Sequence, residues 1–106
     1  MTDSLLKYRE QHKHRLNYMP WLYWSLKPKN RAWAEEWQKE YQAYLMDMET
    51  VEIGENCFIS PLAYIFAEPG RKIIIGDNSF IAADCTLHGP LEIGNEVAIN
   101  HHCILD

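Results

Sequence analysis

The sequence predicts a mainly β fold: a triangular prism of short strands, just under three coils long, behind an α-helical N-terminal segment. Three observations carry that prediction. From residue 51 onward Ile or Leu recurs with a step of six. Residues 1–50 contain no glycine and prolines only at Pro20 and Pro28. Charge divides along the same line, with residues 1–31 carrying a net +5 and residues 32–106 a net −10.

The front half reads as two helices. Ser4 is a candidate N-cap for a first helix through Leu5, Leu6, Tyr8 and Leu16, which Pro20 ends or kinks. Asn30 is a candidate N-cap for a second, over about residues 31–46. Trp33, Trp37, Tyr41, Tyr44 and Leu45 fall on one stripe of it, with Glu35, Glu36, Lys39 and Glu40 off that stripe. Between the helices lies an aromatic segment, residues 18–26, followed by Lys27 and Lys29. Aromatics flanked by lysines suit weak contact with a membrane surface. Packing against the rest of the chain or a partner subunit is the favoured reading, because aromatic stripes are usually core.

The back half is a repeat. Units begin at Ile53, Ile59, Ile65, Ile75, Ile81, Leu87, Ile93, Ile99 and Leu105. A hexad of one short strand and one tight turn forms one side of a prism, and three sides make a coil. The leading residues then stack inward as columns Ile53/Ile75/Ile93, Ile59/Ile81/Ile99 and Ile65/Leu87/Leu105. Alternation points the fifth position inward too, and its small occupants Cys57, Ala63, Ser79, Cys85, Val97 and Cys103 fit beside a corner. The three cysteines are therefore expected to be core residues. Gly54, Gly76 and Gly94 follow the leading isoleucine on one face only, and Asn56, Asn78 and Asn95 fall near corners that need a positive φ. Phe58, Tyr64 and Phe80 point outward and call for a cover, from the helices or from another subunit. Residues 71–74 interrupt the step, as a bulged corner or a short loop.

At 106 residues the chain is about one small domain, divided here into a helical segment (1–50) and a repeat (51–106). Its 47% hydrophobic and 24% charged residues exclude a disordered or collagenous class. No apolar run of about 18 residues predicts a transmembrane helix, and no secretory signal is visible. Three cysteines without metal-like spacing point to a reducing compartment, hence a cytoplasmic location. Net charge of −5 argues against nucleic acid as a partner.

The pattern of an aliphatic residue, a small residue, two variable positions, a small residue and one more resembles the hexapeptide-repeat acyltransferases, over residues 53–106. A helical segment before the coils is similar to their sugar and antibiotic O-acetyltransferase branch. The resemblance implies a left-handed parallel β-helix, a homotrimer, and transfer of an acetyl group from acetyl-CoA to a hydroxyl of a sugar or similar small molecule, with no metal. It implies a histidine acting as general base and backbone N–H groups stabilising the oxyanion. His102 or His101, beside Asn100, is the candidate; His88 is an outward-facing third, while His12 and His14 read as solvated surface. The family has further coils, so the resemblance also implies that the third coil, which stops fourteen residues in, is incomplete at its C-terminal side. Two alternatives stand: a non-catalytic β-helix module, and a metal enzyme resembling the γ-class carbonic anhydrases through His88, His101 and His102. The second lacks that family's Gly-His-x-x-x-x-His pattern.

Overall fold

In the computed structural model, residues 2–105 are described, with side chains from residue 6 onward. Helix α1 (Thr2–Tyr18) leads through a 3₁₀ helix (Pro20–Ser25) into α2 (Pro28–Met48). Nine short strands follow among the described residues: β1 (Val51–Ile53), β2 (Phe58–Ile59), β3 (Tyr64–Phe66), β4 (Ile73–Ile75), β5 (Phe80–Ile81), β6 (Thr86–His88), β7 (Leu91–Ile93), β8 (Ala98–Ile99) and β9 (Ile104–Leu105).

The strands form three parallel three-stranded sheets, β1-β4-β7, β2-β5-β8 and β3-β6-β9. The chain visits the sheets in rotation, which is compatible with a coil of three sides. Register brings Ile53, Ile75 and Ile93 into line, then Ile59, Ile81 and Ile99, then Ile65, Leu87 and Leu105. These are the three columns read from the six-residue step. The fifth-position residues lie between them: Cys57, Ala63, Ser79 and Cys85 are buried, and Val97 and Cys103 are half-buried. The first sheet adds a further inward column at the same fifth position, two residues before each leading isoleucine, where the occupants Val51, Ile73 and Leu91 are larger than most of those on the other two faces. Ile73 is therefore core, although it lies in the interrupting segment. The added length is spent at the corner between β3 and β4, where Gly70 takes φ 85° and Arg71 N–H closes a turn onto the Glu68 carbonyl.

Two of the three single-face glycines, Gly54 and Gly76, have a geometric cause. Asp77 Oδ1 accepts the Glu55 N–H, and one coil further on Asn95 Oδ1 accepts the Asp77 N–H, both at 2.8 Å. These side chains lie over the glycine of the coil before, so a Cβ on Gly76 would run into Asn95 Oδ1 and would also sit 2.7 Å from the Gly94 carbonyl. Asn95 thus fills the position of Asp77. The left-handed corner residues are Asn56, Asn78 and Glu96, with Asp84 and His102 at the next corner, so the expectation for Asn95 is corrected to Glu96.

The helical segment closes the sheets in two ways. Tyr23, Trp24 and Trp37 cover Phe58 and Phe80, with ring centroids 5.5–5.7 Å apart. The cover expected over the outward aromatics is therefore supplied by this chain on the β2-β5-β8 face. Tyr64, outward on the neighbouring sheet, stays 56% exposed. Helix α2 also hydrogen-bonds the edge of β2. The Gln38 carboxamide donates to the Ile59 carbonyl (3.0 Å) and accepts the Ile59 N–H (2.7 Å), as a neighbouring strand would. Gln42 donates to the Cys57 carbonyl at 2.9 Å. An edge strand left bare would template pairing with another chain. Gln38→Leu keeps the size but leaves two buried backbone groups unsatisfied, at a cost of about 2–3 kcal/mol. Urea denaturation checks this; a loss below about 0.5 kcal/mol would show that water satisfies the edge instead.

Several helix expectations are corrected. α1 begins at Thr2, so Ser4 lies inside it, and the Ser4 and Leu5 side chains lie outside the described ones. α2 begins at Pro28, whose ring constrains φ to a helical value, so Asn30 sits within the first turn and accepts a hydrogen bond from the Trp33 indole (3.0 Å). Tyr44 is exposed, and the buried residues of α2 are Ala34, Gln38 and Leu45. Among the described residues, no helix is long and apolar enough to cross a membrane.

Candidate functional site

His101 and His102 stand at the corner between β8 and β9, both exposed. Their rings meet edge to face at 5.2 Å. His102 has φ 64°, a left-handed conformation in which a non-glycine residue is held by its surroundings. Here the surroundings are a tight inward bond: Cys85 Sγ donates to the Asn100 carbonyl at 2.9 Å, tying the corner to the coil before it. Asn100 thus contributes its backbone to the corner.

The tertiary fold adds residues that the repeat does not announce. Tyr18, at the end of α1, packs against His101 at 6.4 Å and against His14 at 5.5 Å. His14, Tyr18, His101 and His102 therefore form one continuous surface run of rings. α1 is docked there by Asn17, whose Oδ1 accepts the buried Ser60 hydroxyl (2.8 Å) and whose carbonyl accepts the Ala83 N–H (2.7 Å). No periodicity joins residues 14–18 to residues 101–102, so the sequence holds no signal for this neighbourhood.

His88 lies elsewhere. It faces outward from β6 and stacks on Phe66 at 5.3 Å, on the β3-β6-β9 face. That face carries a separate apolar patch, with Phe66 47% and Ile104 75% exposed. His12 packs on Tyr8 and Trp33 in the helical segment. Among the described residues of one chain, no three His, Cys, Asp or Glu side chains are grouped to hold a metal ion.

The cysteines behave as core residues. Cys57 Sγ donates to the Gly76 carbonyl at 3.0 Å, which makes its small side chain part of the corner hydrogen bonding. Burial raises the Cys57 and Cys85 thiols above their ordinary 9.0, and burial likewise raises the Tyr23 and Tyr41 hydroxyls above 10.0. In the unfolded chain these groups lose their protons at the ordinary values, so above about pH 9 the folded state holds more protons than the unfolded one. Stability then falls as pH rises. The expected result is a urea midpoint unaffected by these groups up to about pH 8 and declining from about pH 9 upward, with a shallower decline in the Cys57→Ala, Cys85→Ala double variant. A double variant with the same decline would refute the assignment to the thiols.

Compared with known proteins, the chain matches no family model, no curated protein and no solved structure.

Proposed function

We propose that residues 51–106 are a left-handed parallel β-helix of the hexapeptide-repeat acyltransferase kind. In this reading the chain moves an acetyl group from acetyl-CoA to a hydroxyl of a sugar or similar small molecule. The observation that carries the reading is the rotation of the strands through three parallel sheets with the leading Ile and Leu residues in register, coil upon coil. Secondary support comes from the exposed His101–His102 corner.

The chemistry asks for one proton to move. A neutral imidazole of His101 or His102 takes the proton of the acceptor hydroxyl as its oxygen attacks the thioester carbonyl. The tetrahedral oxyanion, stabilised by backbone N–H groups, collapses to the ester and expels the CoA thiolate, which takes the proton back. No metal enters the scheme. A homotrimer belongs to the same proposal, and the uncovered Tyr64, Phe66 and Ile104 side chains are what it would bury. So does a cytoplasmic location, which suits three free cysteines. Exposed Trp21 leaves weak membrane-surface contact as a minor part of the proposal.

The test is transfer of radiolabelled acetyl from acetyl-CoA to a panel of sugars, on protein whose mass is read by light scattering. Labelled sugar ester from a trimeric sample is the expected result. A folded sample that neither binds acetyl-CoA nor acetylates any sugar overturns the reading in favour of a non-catalytic module.

A further inference from the structure

A groove of about 340 Å³ runs along one corner of the sheets, below the overhanging Trp24. Its cause lies in one face of the repeat. The outward rungs of the β2-β5-β8 sheet are Phe58, Phe80 and Ala98 in register. The helical cover rests on the two phenylalanines, with Trp24 5.5 Å from Phe80. At the third rung the side chain shrinks to a methyl group and Ala98 is exposed, so the cover overhangs an empty step.

The rim of that step is polar and directional. Arg31 donates to the Asn56 carboxamide oxygen, and Asn56 Nδ2 donates to Asn78 Oδ1 at 2.8 Å. This chain of donors starts at a cation, which polarises each amide toward the next. Its free end is Asn78 Nδ2, which has no hydrogen-bond partner among the described residues. One coil on, at the same left-handed corner position, stands exposed Glu96, whose carboxylate likewise makes no hydrogen bond or ion pair among them. A third bond sets the wall: the Trp24 indole N–H donates to the Asn56 carbonyl at 3.1 Å.

We infer that this groove binds a neutral, polyhydroxylated ring such as a single pyranose. An aromatic wall, a carboxamide donor and a carboxylate acceptor set side by side match vicinal hydroxyls, each of which donates and accepts. The volume lies at the small end of ligand sites. Among the described residues, Glu96 is the only charged group lining the groove, which disfavours a phosphorylated or carboxylate ligand. The Arg31 guanidinium does not offset it, because it does not line the groove and is ion-paired with Glu35 at 3.2 Å. The inference stands on the groove alone and holds whether or not an acyl group is transferred.

Saturation-transfer NMR of the full chain with methyl β-glucopyranoside and methyl β-galactopyranoside tests it. At least one glycoside is expected to bind. Ala98→Phe extends the Phe58–Phe80 column into the groove and is expected to abolish binding. Glu96→Gln, at an exposed corner, is expected to weaken binding by about tenfold, the effect of one charged hydrogen bond. Absence of binding for both glycosides on a natively folded sample overturns the inference. So does equal binding by a folded Ala98→Phe variant, or by Glu96→Gln if Ala98→Phe does not fold. Acetyl-CoA binding and acetyl transfer to the sugar panel are assayed separately on the same samples, so a sample that binds a glycoside but neither binds acetyl-CoA nor acetylates any sugar overturns the acyltransferase reading and leaves the groove standing.

Discussion

Replacing His101 with Ala and His102 with Asn together is expected to lower acetyl transfer by about 10²–10⁴-fold, the usual contribution of a positioned general base. Asn is chosen at position 102 because φ is 64° there, and Asn tolerates the left-handed region better than Ala. Both side chains are exposed, so the fold loses little, and circular dichroism and the melting temperature should stay close to those of the parent. The single variants then assign the base. If only His101→Ala carries the loss, its contact with Tyr18 becomes part of the site, and Tyr18→Phe, which keeps the ring, should retain activity while Tyr18→Ala should not. A double variant with parental activity removes both histidines from the mechanism.

Phe58→Ala is expected to cost about 3–5 kcal/mol, the range for a large buried aromatic cut to alanine. Phe58 is 0% exposed and lies between the sheets and their helical cover, touching Tyr23 at 5.5 Å and Trp37 at 5.7 Å. Its loss opens a cavity in the layer that attaches residues 20–48 to the strands. For a chain of this size that is a large part of total stability. The comparison residue is Tyr64, which occupies the same place in the following hexad but is 56% exposed. Tyr64→Ala should shift stability by no more than about 0.5 kcal/mol in dilute protein. A Tyr64→Ala loss that grows with protein concentration would show that another copy covers the β3-β6-β9 face. Equal losses at both positions in dilute protein would contradict the covering seen here.

The contrast between Phe58 and Tyr64 also marks the limit of what the repeat reveals. Alternation along a strand turns both outward, and both do leave the core columns. Which of them is then covered depends on where residues 20–48 dock, and no period links those residues to the strands. Gln38 shows the same limit. It sits beside the aromatic stripe of α2 as an ordinary polar residue, yet it is 2% exposed because its carboxamide supplies the hydrogen bonds that the edge of β2 lacks. The site follows suit: His101 and His102 are visible in the sequence as a cluster, whereas His14 and Tyr18 join them only through the docking of α1. The groove under Trp24 is legible only in hindsight, as the step from Phe58 and Phe80 to Ala98 in one column.

By itself the sequence determines the inward columns, the small fifth-position residues, the need for glycine on one face, and the division between a helical front and a stranded back. Each of these is a local matter: a side chain's size and direction recur every six residues, so one hexad predicts the next. The tertiary structure alone decides which face the helical segment covers, which backbone edge Gln38 completes, and that an empty step is left at Ala98. Those outcomes come from the meeting of two segments with different periods. The fit between such segments is set by shape and by unsatisfied polar groups at the contact, and neither repeats along the chain.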